Sequence, residues 1–210
     1  MTTHRPAVFL DRDGTLNEMV YDESHGIVDS PLRPEDLVLK RQAAPFVRAL
    51  NHWGYLCLVV TNQPGLAKGS LTQERLNRIH GKLRSDLRAN GAILDGILFC
   101  PHHPDPGLAG RAEYAGKCPC RKPAPGMILD AAVRHHVDLS RSFMVGDGLT
   151  DVEAGRRAGV ATILVARLQP ALLEQLESWP QSRPDRFAAD LNEARQIIGR
   201  RREELRAGGG

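Results

Sequence analysis

Short apolar runs alternate along the chain with stretches of helical periodicity. That alternation is the mark of an α/β fold with a mainly parallel sheet. The apolar runs predict strands over Ala7–Asp11, Leu56–Thr61, Gly96–Cys100, Phe143–Gly146 and Ala161–Val165, with a sixth short element near Arg186–Ala188. Leu56-Cys57-Leu58-Val59-Val60 does not alternate, as expected of a central parallel strand covered on both faces. Helices are predicted over Ala43–His52, Thr72–Leu87, Met127–His136, Asp151–Ala158 and Leu191–Leu205. Thr72 supplies only the threonine half of a capping box, because the position three residues on is Arg75. Leu172, Leu173 and Leu176 form a helical stripe suited to core or interface. Two stretches resist this reading, Glu18 to about Lys40 and His102 to Lys122. Long loops inside a compact domain usually have a task.

Length and composition narrow the classes. At 210 residues the chain fits one domain, read here as 1–206 with a frayed tail at 207–210, able to bury roughly 70% of its extended surface without disulfides. A formal net charge of +3 is too weak a field for nucleic-acid binding. No run reaches the roughly 20 apolar residues of a membrane helix, and Met1–Pro6 carries no signal-type apolar segment, so a cytoplasmic location is expected. No heptad demands a partner, and a monomer suffices.

The strand ends carry the chemistry. Phe9-Leu10-Asp11-Arg12-Asp13-Gly14-Thr15 closes an apolar strand with two carboxylates, a hard-cation site suited to magnesium. Thr61-Asn62-Gln63-Pro64 ends a second strand with groups able to hold phosphate oxygens without adding charge. Arg121-Lys122 places two cations just before a helix. Gly146-Asp147-Gly148 is a third strand tip with a carboxylate, and Asp151 follows, where it also suits the N-terminal dipole of the next helix.

Between these lies Cys100-Pro101-His102-His103 and, with 15 residues between His102 and Cys118, Cys118-Pro119-Cys120. Three thiolates and one imidazole make a closed tetrahedral site, read as structural zinc at 100–120, with His103 as an alternative to His102. Cys57 lies mid-strand and reads as core, and His135 and His136 suit a helix C-terminus.

In this order, Asp11-x-Asp13-Gly14-Thr15, Thr61-Asn62, Lys122-Pro123 and Gly146-Asp147…Asp151 resemble the four motifs of the haloacid dehalogenase superfamily of phosphohydrolases. The resemblance spans Val8 to about Val165 and implies a Rossmann-like three-layer sandwich without a large cap. It implies Asp11 as nucleophile forming an aspartyl phosphate, and Asp13 as general acid and then base. Thr61 and Lys122 would stabilise the phosphoryl group. Magnesium would rest on Asp11, Asp13 (through its carbonyl) and Asp147, with Asp151 supporting the metal or positioning Lys122. The zinc loop is similar to that of the D-glycero-D-manno-heptose 1,7-bisphosphate 7-phosphatases, whose relatives include the histidinol-phosphate phosphatases. That likeness implies a phosphorylated sugar held by Arg12, Ser24, His25, Gly26, Ile27, Asn62, Gln63, Pro64, Arg121 and Gly148, with Cys100, His102, Cys118 and Cys120 on zinc. The family commonly has Lys where this chain has Gly148, and Arg33 is a candidate replacement charge. Competing readings are a histidinol-phosphate phosphatase, and a non-catalytic zinc-stabilised binding module.

Overall fold

The computed structural model describes residues 4–22, 26–108 and 110–207, and only the backbone of Asp22 and Ile27. Six strands form one sheet: β1 (Ala7–Leu10), β4 (Leu56–Asn62), β5 (Gly96–Cys100), β6 (Phe143–Gly146), β7 (Ala161–Val165) and β8 (Arg186–Ala188). Their order is β5-β4-β1-β6-β7-β8, and every pairing is parallel. The first strand thus lies between one group that continues outward through β4 and another that continues through β6. Such a switch in direction opens a crevice at the carboxyl ends of the strands.

Alternating side chains of the central strands feed two separate cores. Val8 and Leu10 of β1, with Cys57 and Val59 of β4, pack with α1 (Ala43–His52), α3 (Gln73–Ala89) and α7 (Leu191–Ala207). Ala7 and Phe9, with Leu56, Leu58 and Val60, pack with α4 (Gly126–His135) and α5 (Leu149–Ala158). Burial on both faces is what makes these strands read as unbroken apolar runs. On the second face α5 approaches closely because Gly155 has no side chain: a Cβ there would lie 2.7 Å from Met144 Cβ. Thr72 caps α3 by accepting from the Arg75 N–H at 3.2 Å.

Several segments differ from the sequence reading. The stretch after Glu18 is not wholly irregular: β2 (Val20–Asp22) and β3 (Ile27–Asp29) pair as an antiparallel hairpin. A four-residue helix, α2 (Gly65–Lys68), follows β4, and α6 (Pro170–Ser178) houses the leucine stripe, of which only Leu176 is buried. Strand β1 stops at Leu10, one residue short, because Asp11 already turns toward the crevice. Ala207, expected in the frayed tail, closes α7, whereas residues 208–210 lie outside the described residues. No helix among the described residues is long and apolar enough to cross a membrane.

Candidate active site

The tips of β1, β4 and β6 and the turn before α4 converge on one cleft of about 220 Å³. Asp11, Asp13, Ser30, Thr61, Asn62, Lys122, Asp147, Gly148, Thr150 and Asp151 line it. Lys122 is the hub. Its Nζ lies 2.6 Å from Asp11 Oδ1, 2.8 Å from the Val60 carbonyl oxygen and 2.5 Å from Asp151 Oδ1. The first two are directed hydrogen bonds. The third is a buried ion pair. Asp151 Oδ2 accepts from the Gly148 N–H at 3.0 Å, so this residue both caps α5 and positions the lysine.

Burial and charge set the protonation of the cluster. Asp11 is pushed up to about 7, first by burial and then by Asp151 and Asp13, against the pull of Lys122. Burial, and the neighbouring carboxylates Asp11 and Asp147 respectively, also raise Asp147 and Asp151. Lys122 is held charged: burial alone would lower it, but Asp11 and Asp151 more than compensate. Asp13 behaves oppositely. Burial alone would raise it, yet Arg12 grips it with Nε at 2.9 Å and Nη2 at 2.7 Å, and Asn17 and Gln63 donate at 3.0 and 2.8 Å. Asp13 is therefore ionised in this arrangement.

Oxygens of Asp11, Asp147 and Asp151 lie within 4.8 Å of one another. All-oxygen donors and carboxylate pKa values raised by burial and crowding fit a hard divalent cation such as magnesium. Thr15 Oγ1 donates to Asp147 Oδ1 at 2.8 Å and fixes that carboxylate. Gly14, at φ +83°, is required beside it, because a Cβ would collide with the Asp147 carboxylate.

Several residues expected to touch substrate turn inward. Arg12 has no exposed surface, and its guanidinium is committed to Asp13. Asn62 grips the main chain of Lys122 from 60 residues away: Nδ2 donates to the Lys122 carbonyl and Oδ1 accepts its N–H, both at 3.0 Å. Gln63 is 1% exposed and donates to Thr61 Oγ1 at 2.9 Å as well as to Asp13. Receiving that bond, the Thr61 hydroxyl is left to donate its own proton into the cleft. Arg12 and Gln63 are thus engaged with Asp13 and Thr61, while Asn62, which also lines the cleft, holds the Lys122 main chain, ties that their side-chain chemistry alone does not reveal. Pro64 and Arg121 are half-buried, and Gly148 sits in the cleft wall. Gly26 and Ile27 lie at the end of the hairpin, Arg33 is exposed, and Ser24 and His25 lie outside the described residues. Ser30 and Thr150 line the cleft unannounced by any motif. Their signal was position: Ser30 follows a strand and Thr150 opens a helix.

Beside the cleft, Cys100, His102, Cys118 and Cys120 form a second cluster. The three Sγ atoms are 3.1 to 3.4 Å apart, and His102 Nδ1 lies 3.7 and 3.5 Å from Cys100 and Cys120. His103 points its Nδ1 at the Asp105 main chain, and it is His102, not His103, that gathers with the three cysteines. Burial raises the Cys118 thiol, but bonds from Cys120, Cys100 and the Arg121 N–H hold it below its ordinary value. The donor set suits a closed tetrahedral metal. Arg121 Nη1 donates to the His102 carbonyl at 3.0 Å, tying the loop to the residue next to Lys122.

A parallel α/β sheet that sets Asp11 at one strand tip and Asp151 at the following helix start on one buried lysine, with Asp147 at a third strand end beside them, defines a phosphohydrolase of the haloacid dehalogenase class. A HAD-hydrolase-like family model matches residues 119–194. A D-glycero-D-manno-heptose-1,7-bisphosphate 7-phosphatase of Thermosynechococcus vestitus is 41% identical over 195 residues, covering 92% of this chain and 95% of that protein. A D-glycero-beta-D-manno-heptose-1,7-bisphosphate 7-phosphatase of Vibrio cholerae is 37% identical, covering 83% and 88%. The crystal structure of a D,D-heptose 1,7-bisphosphate phosphatase from B. bronchiseptica, complexed with magnesium and phosphate, superposes with a TM-score of 0.73 at 31% identity, covering 93% and 98%. The chain belongs to the D-glycero-D-manno-heptose-1,7-bisphosphate 7-phosphatase family, and it is a phosphatase.

Proposed function

We propose that this phosphatase removes the 7-phosphate of D-glycero-D-manno-heptose 1,7-bisphosphate, with magnesium in the carboxylate cluster and zinc in the cysteine–histidine loop. The observation that carries the reading is the ionised Lys122 holding Asp11 at the tip of β1. Asp11 and Asp147, with Asp151 behind them and the Asp13 carbonyl, would hold the magnesium, which offsets repulsion between an anionic nucleophile and an anionic phosphate. An Asp11 oxygen attacks phosphorus, the bond to the sugar O7 breaks, and O7 takes a proton. Water then attacks the aspartyl phosphate, gives its proton to a base, and releases inorganic phosphate while Asp11 is restored. Asp13, ionised in its Arg12 fork, is set for the second task; as the acid of the first it acts once protonated and out of that fork. Lys122 and the Thr61 hydroxyl face the charge that gathers on the phosphoryl oxygens. Arg121, anchored on the zinc loop, is the cation proposed for the distal phosphate. Every group named comes from one chain, so the reading requires no partner.

The test is inorganic phosphate release from the purified protein with and without magnesium. The substrates are both anomers of heptose 1,7-bisphosphate, fructose 1,6-bisphosphate and histidinol phosphate, with Asp11→Asn as control. A magnesium-dependent preference for a heptose bisphosphate, lost in the variant, is expected and identifies the anomer. A preference for histidinol phosphate would remove the role given to Arg121, and no turnover at all would overturn the substrate assignment.

A further inference from the structure

Three buried polar atoms behind Asp13 have no hydrogen-bond partner in the protein: Arg12 Nη1, Asn17 Oδ1 and His80 Nε2. Two of them belong to residues that hold Asp13 itself. Arg12 reaches its carboxylate through Nε and Nη2, and Asn17 through Nδ2, so the other end of each side chain is left over. An unpaired polar atom in a protein interior is costly and rare enough to need a reason. Three in one neighbourhood point to a shared ligand.

His80 joins this group from α3. The buried stripe of that helix is otherwise apolar, Leu76, Ile79, Leu83 and Leu87, and His80 is only 8% exposed within it. Its ring packs on Phe99 of β5, with centroids 5.8 Å apart. Phe99 pairs in the sheet with Thr61 of β4, and Thr61 is tied to Asp13 through Gln63. The imidazole therefore lies over the tip of β4, against the groups that hold Asp13. Arg12, Asp13 and Arg84 are the charges whose fields reach it; burial and the two cations outweigh the carboxylate and keep the ring neutral. The three unpaired atoms match the needs of one water molecule. Arg12 Nη1 donates, whereas Asn17 Oδ1 and the bare nitrogen of a neutral imidazole accept. A water that takes the Arg12 N–H on its oxygen and gives its hydrogens to His80 and Asn17 supplies a partner to each.

We propose that Arg12, Asn17 and His80 enclose one internal water behind Asp13, and that His80 is a positioning residue: through that water it keeps the Arg12 fork in place while Asp13 leaves it to protonate the leaving group. This rests on the acid role given to Asp13, but not on the identity of the sugar. Phenyl phosphate and p-nitrophenyl phosphate differ in how much their leaving groups need a proton, so the ratio of their kcat/KM values reads the acid step. His80→Leu should lower kcat/KM for phenyl phosphate about tenfold relative to p-nitrophenyl phosphate. His80→Gln, whose amide oxygen can accept in the same place, should restore most of the ratio. Looser packing alone would lower both substrates alike. In the unsubstituted protein, long-range proton–nitrogen NMR should show His80 as the neutral tautomer with its proton on Nδ1, and a slowly exchanging water beside the ring. Equal losses on the two substrates, or a proton on Nε2, would overturn the inference. If the unsubstituted enzyme already discriminates steeply against phenyl phosphate, it is the acid role of Asp13 that has failed, and the tautomer alone then decides the water site.

Discussion

The two clusters of this molecule are built on opposite terms. The carboxylate–lysine cluster rests on the ends of strands whose side chains, Ala7 to Leu10, are fully buried, and it is locked by hydrogen bonds that span up to 132 residues. The cysteine–histidine cluster, by contrast, grows from a loop in which no described residue from Pro101 to Cys120 is buried. Its fixed points are few: the Arg111 N–H on the Ala67 carbonyl, the two bonds between His103 and the Tyr114–Gly116 turn, the Gly126 N–H on the Pro119 carbonyl, and the Arg121 brace. The first site therefore stands on a hydrophobic core, and on the proposed reading its cation serves chemistry. The second has no core of its own, and on the same reading its metal would serve to hold a shape. Because Arg121 and Lys122 lie directly after Cys120, that shape would, on the proposed reading, reach the reacting phosphate.

Three experiments sharpen or break this contrast. Lys122→Met strikes the core-built site and should cut kcat roughly 10³-fold in phosphate-release assays. It also leaves Asp11 and Asp151 buried without their cation, so urea unfolding should show a loss of roughly 3 kcal/mol at neutral pH. Cys118→Ser, or a zinc-selective chelator, strikes the loop: kcat/KM for the bisphosphate should fall about 10- to 100-fold. Hydrogen exchange should then speed up in 101–120 while β1 and β4 keep their protection. Rapid exchange throughout the sheet would show that the two regions are not independent. The smallest effect concerns the frame itself. His80 of α3, packed on Phe99 with its Nε2 unpartnered, is pushed down to about 3 by burial and by Arg12. The unfolded chain takes up that proton near pH 6.5 and the folded chain does not, so stability is full above 6.5 and lost as pH falls toward 3. Between pH 7.5 and 5.0 the wild type should lose on the order of 2 kcal/mol more than His80→Leu in urea unfolding, whichever metal is present.

What could be read directly in the sequence follows the same division. Strands β5, β6, β7 and β8 have the bounds expected, because each is a short run closed by a turn residue or a charge, while the fully buried β1 and β4 differ by one residue at the end that meets the cleft. The hairpin of β2 and β3 left none: its strands are three residues long, and Tyr21 and Val28 are about 60% exposed, so no periodicity marks them. Asp11, Lys122 and Asp147 were legible because a charge at the end of a buried strand or beside a helix start has little structural reason to be there. The inward roles of Arg12, Asn62 and Gln63 were not, since they depend on which main chain lies opposite, and Asn62 meets Lys122 only after the sheet has formed. Cys100, His102, Cys118 and Cys120 were legible by type and spacing, whereas the choice of His102 over His103 required the fold.

On the proposed mechanism Asp11 carries the phosphoryl group between its two transfers. The most direct measurement is an acid quench of the enzyme during turnover of heptose 1,7-bisphosphate with magnesium, followed by borohydride reduction and peptide mass analysis. The account predicts reduction of a single aspartyl phosphate at Asp11, absent without magnesium and absent in Asp11→Asn. Label at Asp13 or Asp147, or continued turnover with no trapped aspartate at any time point, would contradict it.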